Sequence, residues 1–286
     1  MKAVILAAGE GHRMRPLTYT RPKVMLPIAN KPILEHLLIE AKSAGIKEFI
    51  LIVGYHDEQI RRYFGTGEKW GVTIDYSTQR KQAGTADAVR MVEGMVDGNF
   101  LMMNGDIIVS HQDIGVLADG RDTTMSLVEV EDTEDLGLVE IKEDRVTRIH
   151  EKVSKPPSNL ANTGLYLFTP EIFSAISQTE TSPRGEYEIT DSLQWLVNRG
   201  DPVSYQKIGY WLDTSYPWDL LSANETLLKT IEGQNLGEVE ENVVIRNTVS
   251  LGKGTIVRSG SYVVGPVIIG QDCDIGPGCH IRPYTS

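Results

Sequence analysis

Glycine, arginine and lysine share one early loop. The chain begins MKAVILAAGEGHRMRPLTYTRPKVMLPI, in which an apolar run ends at Gly9, a second glycine stands at Gly11, and Arg13, Arg15, Arg21 and Lys23 follow. A glycine-rich turn after a strand presents backbone N–H groups as a concave nest for anions, and without Cβ atoms a phosphate can approach closely. A plain structural turn would account for the glycines but not for Arg13 and Lys23 arriving from the same loop. Two familiar phosphate motifs fail here. The dinucleotide fingerprint needs a third glycine three residues after the second, and Met14 stands there. A GxxxxGK[ST] run occurs nowhere in the chain. Further on, Asp106 closes the apolar run LMMNGD and Asp213 closes YWLD. A lone aspartate at a strand end most often makes a turn, but it can also face a ligand at the rim of a sheet.

These residues need a scaffold, and the pattern around them supplies one. KAVILAA, KEFILIVGY, VTIDYSTQ and NFLMMNGD read as strands. They alternate with helix-like segments: NKPILEHLLIEAKSAG, with Leu34, Leu37, Leu38 and Ala41 at helical spacing and Pro32 in the first turn, then HDEQIRRYF and TADAVRMVEGM. Such alternation predicts an α/β fold, a mainly parallel sheet with helices on both faces, whose ligands bind beyond the carboxyl ends of the strands. TTMSLVEVED, GLVEIKED and RVTRIHEK change to period two, as half-exposed antiparallel strands do. NTGLYLFTPEIFSAI reads as a strand turning into a helix, and a further helix is expected from Pro217 to about Thr230.

The last stretch repeats every six residues. Val239, Ile245, Leu251, Val257, Val263, Ile269, Ile275 and Ile281 are all aliphatic, and the residue four after each is small or β-branched. A hydrophobic strand run would not keep phase so long. A hexapeptide repeat predicts a parallel β-helix, left-handed with three hexapeptides per coil by comparison with known hexapeptide proteins. The expected division is residues 1–230, a linker 231–238, and the repeat 239–286. Cys273 and Cys279 are expected to be small buried residues on successive faces rather than a disulfide or a metal site. The repeat is still in phase at Ser286, so we expect another subunit, or a longer natural chain, to cover this end.

Composition narrows the classes. A formal net charge of -11 argues against a general nucleic-acid binder, which needs a basic footprint. No stretch approaches the ~20 apolar residues of a membrane span. Two cysteines are too few for a secreted disulfide scaffold, and Ala3 to Ala8 is too short for a signal peptide, so a cytoplasmic protein is expected.

LAAGEGHRMRPLTYTRPKVMLPI resembles the signature of the sugar-1-phosphate nucleotidylyltransferases, and the resemblance continues in family order through QRKQAGTADAV, NGDIIV, DLGLVEI, IHEK, SNLANTGLY, RGEYEITDSL and YWLDT. It covers roughly residues 1–230, and a hexapeptide β-helix after this domain is common in the family. The family reaction joins a nucleoside triphosphate to a sugar 1-phosphate and releases pyrophosphate. The resemblance implies Arg13 on the leaving pyrophosphate, Lys23 at the reacting phosphate, and Asp106 and Asp213 as ligands of Mg²⁺. It implies that the backbone of Leu6, Ala7, Ala8, Gly9 and Gly11 lines the nucleotide, and that Gln79, Gln82, Gly84 and Thr85 form the loop that reads a pyrimidine. A side-chain amide carries a donor and an acceptor complementary to uracil or thymine. Gly137, Glu151, Lys152, Asn162 and Thr163 would line the sugar phosphate. Asn at 162 resembles the branch that uses N-acetylglucosamine 1-phosphate with UTP, where the glucose and dTTP branch carries an apolar residue. Three departures stand out: His12 where the family has a hydroxyl, EKV rather than EKP, and DTS after the second aspartate.

The acidic cluster Glu186, Glu188 and Asp191 resembles the family too, although acidic residues at a helix N-terminus also suit its dipole. The six histidines form no constellation in sequence. Two other functions compete. A regulatory subunit of the same fold would have lost the phosphate arginine, the lysine or a metal aspartate, and this chain keeps all of them. An acyltransferase would use the repeats, but no histidine precedes His280 there; a longer, bifunctional chain could carry that activity. The repeat is expected to mediate a homo-oligomer, a trimer or dimer.

Overall fold

The computed structural model describes residues 1–151 and 157–286. In chain order the elements are β1 (Lys2–Ala7), β2 (Pro27–Ile28), β3 (Lys31–Pro32), α1 (Ile33–Ser43), β4 (Glu48–Val53), α2 (Asp57–Phe64), β5 (Thr73–Thr78), α3 (Thr85–Arg90), β6 (Phe100–Asn104), β7 (Ile107–Val109) and α4 (His111–Ala118). There follow β8 (Thr124–Glu129), β9 (Gly137–Lys142), β10 (Arg145–Glu151), β11 (Leu160–Phe168), α5 (Glu171–Ser177), α6 (Ile189–Arg199), β12 (Ser204–Lys207), β13 (Trp211–Asp213) and α7 (Pro217–Leu228). They pack as two compact units, Met1–Met25 with Ile33–Asp213, and Leu26–Pro32 with Thr214–Ser286. Among the described residues no helix is long and apolar enough to cross a membrane.

The first unit is built on a nine-stranded sheet in the order β5-β4-β1-β6-β11-β8-β12-β10-β9. β5, β4, β1 and β6 run parallel, and β11 turns antiparallel against β6. Alternate residues of β1 face opposite layers, as strand geometry requires. Ala3, Ile5 and Ala7 pack with α1, α2 and α4; Val4 and Ala8 pack with α3, α5 and α6. Leu34, Leu37, Leu38 and Ala41 of α1 are fully buried, as their spacing predicts. The period-two segments do pair antiparallel, β9 with β10 and β8 with β11. Two boundaries differ from expectation. Pro32 belongs to β3, before the helix, and α3 stops at Arg90, after which the chain makes turns.

The second unit carries the repeat. Its short strands form three parallel sheets in which Val239 pairs with Val257 and Val257 with Ile275, Ile245 with Val263 and Val263 with Ile281, and Leu251 with Ile269. Each step spans three hexapeptides. Leu251, Val257, Val263 and Ile269 are buried and pack together, while Ile245, near one end, is 39% exposed. The small residues do more than fit: the Thr255 hydroxyl donates to the Gly270 carbonyl at 2.6 Å and accepts from the Cys273 N–H at 3.1 Å. Cys273 is half-buried and Cys279 exposed, both free, so the expectation that both are buried is corrected. Residues 231–238, expected as a linker, already join the stack, with the Leu236 N–H on the Leu251 carbonyl at 3.0 Å. The expected boundary after residue 230 also differs from the packing. The hairpin β2–β3 and α7 belong with the repeat, because Asn224 accepts the Ala29 N–H at 2.8 Å and donates to the Tyr284 carbonyl at 2.8 Å. Val257→Asp, which places an unpaired charge in this stack, should destabilise the unit by more than about 4 kcal/mol in urea unfolding. An unchanged transition would contradict the inward assignment.

Candidate active site

The parallel strands β1, β4 and β6 end at one edge, with Ala7 opposite Val53 and Leu6 opposite Asn104. Three glycine turns leave that edge. Gly11 has φ +67°, a conformation that favours glycine, and a Cβ there would lie 2.8 Å from Lys23 Cβ. A Cβ on Gly54 would meet the carbonyls of Ala8 and Gln79 at 2.9 Å, and one on Gly105 would meet the Leu6 carbonyl at 2.6 Å. The glycines therefore serve to pack three turns against one another as well as to leave Gly9 exposed at the rim. The loop after Gly11 is pinned by Tyr55, whose hydroxyl lies 2.9 Å from the Thr18 carbonyl, and by Gln59, whose amide donates to the Thr20 carbonyl at 2.7 Å.

Lys23 and Asp106 meet at this rim. Lys23 Nζ donates to Asp106 Oδ2 at 2.6 Å, with side chains 10% and 30% exposed. Burial alone would raise the Asp106 pKa; the Lys23 charge and hydrogen bond outweigh it, the charge of Arg13 adds to them, and the carboxyl is held below the usual range. Because the folded pKa is depressed, the pair's contribution is complete above the ordinary carboxylate pKa of about 4 and is lost as pH falls through the lower folded value. Lys23→Gln should therefore flatten the acid limb of the stability–pH curve, and an unchanged limb would contradict the pairing. Asp213 lies opposite Ile107 in the β13–β7 pair, one position from Asp106. The backbones that carry the two aspartates predicted as metal ligands are thus neighbours in the sheet, although their segments are far apart in sequence. Arg13 is exposed in the short helical turn His12–Met14, on the loop that also carries Lys23. His12 is held by Glu10 at 3.1 Å, and Arg15 pairs with the same carboxylate at 3.1 Å.

Other predicted residues sit differently from expectation. Gln79 is 6% exposed and its amide donates to the Gly84 carbonyl at 3.1 Å and to Asp87 at 3.0 Å. Gln82 donates to the Ala8 carbonyl at 2.9 Å. In this structure both glutamines shape the loop. Gly84 lies against Tyr187, where a Cβ would be 2.4 Å from the carbonyl oxygen, and the Thr85 hydroxyl accepts the Ile189 N–H at 2.9 Å. Gly84→Ala should cost at least about 1–3 kcal/mol through strain at φ +112°, since the clash is with backbone. Full retention of the wild-type Tm would sink this assignment.

Gly137 and Glu151 are directly paired across β9 and β10. Asn162 bonds to the Tyr166 hydroxyl at 2.6 Å at an irregularity of β11, and its Oδ1 accepts the Gly164 N–H at 3.3 Å. Thr163 is 2% exposed with its hydroxyl 3.2 Å from the Ser126 carbonyl, so the side chain is held inside the sheet; its carbonyl accepts Trp211 Nε1 at 2.9 Å. Lys152 lies outside the described residues. Arg184 bridges Glu188 at 2.8 Å and Glu151 at 4.0 Å. Burial pushes the Glu188 and Asp191 carboxyls up, against the pull of Arg184.

Asp113, unmarked by any motif above, holds the entry to β13. Its carboxylate accepts the N–H groups of Gly209 at 3.2 Å and Tyr210 at 3.3 Å, where the chain enters β13. Ser110 caps the same helix, and the serine-to-aspartate spacing was the available signal.

Comparison with known proteins decides the family. The family model described as nucleotidyl transferase matches residues 2–230. The chain belongs to the nucleotidyl transferase family. This bears out the resemblance read from the signature. Among its relatives, the bifunctional protein GlmU of Methanocaldococcus jannaschii is 40% identical over 286 residues, covering 100% of this chain and 68% of that protein. The glucose-1-phosphate thymidylyltransferase of Streptomyces antibioticus is 38% identical, covering 100% of this chain and 82% of its own length. The chain spans 62% of a second GlmU, from Methanococcus maripaludis. A crystal structure of a Bacillus anthracis protein assigned as a glucose-1-phosphate thymidylyltransferase, with sucrose bound, superposes with a TM-score of 0.74 at 30% identity, covering 82% of this chain and 98% of that one.

Proposed function

We propose that this nucleotidyl transferase catalyses transfer of a nucleotidyl group from UTP or dTTP to a sugar 1-phosphate, N-acetylglucosamine 1-phosphate or glucose 1-phosphate, releasing pyrophosphate. The observation that carries the proposal is the Lys23–Asp106 ion pair at the carboxyl edge of β1 and β6, with Asp213 one register position away across β7 and β13. A relative named glucose-1-phosphate thymidylyltransferase supports the reaction class.

The chemistry follows from charge. A sugar phosphate oxygen attacks the α-phosphorus in line as the bond to pyrophosphate breaks, and catalysis is positioning and neutralisation. The turn's backbone holds phosphate oxygens, Arg13 counters the leaving pyrophosphate, and Lys23 reaches the reacting phosphate. Among the described residues no group of three or more His, Cys, Asp or Glu is gathered to hold a metal alone. Two aspartates in adjacent register nevertheless suit Mg²⁺, which takes one or two carboxylates together with substrate phosphates. When bound, Mg²⁺ would neutralise the triphosphate charge that accumulates during transfer. Asp106 and Asp213 would hold it.

Glu151, on β10 opposite Gly137, would accept hydrogen bonds from sugar hydroxyls. Asn162 supports an N-acetylhexosamine only if its amide turns from Tyr166 to the acetamido group. The three parallel sheets with their eighteen-residue step support a left-handed β-helix, which we propose joins copies of the chain. Mass spectrometry of products from mixed UTP, dTTP and both sugar phosphates tests the substrate reading: a UDP-N-acetylhexosamine as main product supports Asn162's role, and a dTDP-glucose overturns it.

A further inference from the structure

Two rigidly rooted side chains meet only at their tips. The Lys23 stem lies against Gly11, where an added Cβ would be 2.8 Å from Lys23 Cβ and 3.4 Å from Cδ, and its neighbours Pro22 and Val24 are buried. Asp106 follows Gly105, whose N–H donates to the Leu6 carbonyl at 2.9 Å and whose Cα has no room for a side chain. With the stem packed against Gly11, the last bonds of Lys23 keep the most freedom, and their rotation moves Nζ over a short arc at the rim. In this arrangement the ammonium takes Asp106 Oδ2, one of the carboxylate oxygens a divalent cation would use.

We propose that Lys23 is a cation placeholder: it compensates Asp106 before substrate arrives, and an incoming triphosphate draws it off the carboxylate and so admits the divalent cation. This rests on the metal-dependent reading above and adds its regulation. An ammonium and a divalent cation on one carboxylate oxygen repel each other, while a triphosphate offers Lys23 a negative partner within its arc and brings oxygens of its own for the metal. Nucleotide and metal are then thermodynamically coupled, and the coupling is reciprocal. A metal without nucleotide finds its place taken, so the rim does not bind stray divalent cations in an unproductive form.

The test is binding of Mn²⁺ to the full chain, read by electron paramagnetic resonance without nucleotide and then with a non-hydrolysable UTP analogue. Lys23→Met and Lys23→Gln, checked for folding by thermal unfolding, should bind Mn²⁺ alone at least tenfold more tightly than wild type, whereas Arg15→Met, which removes a charge of the same loop held on Glu10, should not. The nucleotide's enhancement of Mn²⁺ binding should shrink in both Lys23 variants. Equal Mn²⁺ affinity in wild type and variants, or an equal gain from Arg15→Met, overturns the placeholder alone. No protein-bound Mn²⁺ in any of them with the analogue present overturns the metal-dependent reading beneath it.

Discussion

Asp106→Asn is expected to lower turnover about a thousandfold, roughly 4 kcal/mol of barrier. The substitution keeps the shape of the side chain and an oxygen that can still accept from Lys23, but it removes the charge that would hold a metal ion. The loss should fall on kcat more than on KM, because the interaction grows as charge accumulates at the reacting phosphate. Stability should fall as well. Breaking a fully buried pair costs roughly 3–5 kcal/mol, and the 30% exposure of Asp106 keeps this pair below that range. Activity must therefore be measured well below the variant's own Tm. A variant that folds and retains more than a tenth of wild-type turnover would remove Asp106 from the reaction.

Lys23→Met should lower kcat/KM by about a hundredfold to a thousandfold, the loss typical of one preorganised charged donor. Methionine fills the channel beside Gly11 with a stem of similar length, so the turn should survive. The paired expectation separates chemistry from structure: nucleotide turnover falls while Mn²⁺ binding without nucleotide rises. A variant weakened in both respects would point to a collapsed rim instead. Arg13, exposed on the same loop, gives the contrast, since Arg13→Met leaves the Lys23–Asp106 contact in place.

The parallel half of the fold was legible because its signals are local. Apolar runs such as Ala3–Ala7 and Phe49–Val53 end in glycine, and helical spacing marks α1. The repeat was legible because its phase persists. Pairings across long separations were not. Lys23 and Asp106 are 83 residues apart, and nothing in either segment says that they meet in a direct ion pair rather than around a ligand. The hairpin at residues 26–32 joins the repeat through Asn224, a contact no periodicity encodes. Residue type also failed to give side-chain direction. Thr163 lies in an irregular strand, and the local register turns its hydroxyl toward Ser126. Gln79 carries the right amide for a base, but the loop uses its donors on Gly84 and Asp87. The exposed Cys279 shows the same limit: the repeat phase gives its place in the coil but not its burial.

Pyrophosphate release measures nucleotidyl transfer by this chain most directly. The full chain should release pyrophosphate when UTP or dTTP, a sugar 1-phosphate and Mg²⁺ are all present, and should stop when the sugar phosphate is omitted or EDTA is added. Absence of pyrophosphate in every combination of the two nucleotides with N-acetylglucosamine 1-phosphate and glucose 1-phosphate, or release that ignores the sugar phosphate, would contradict the account.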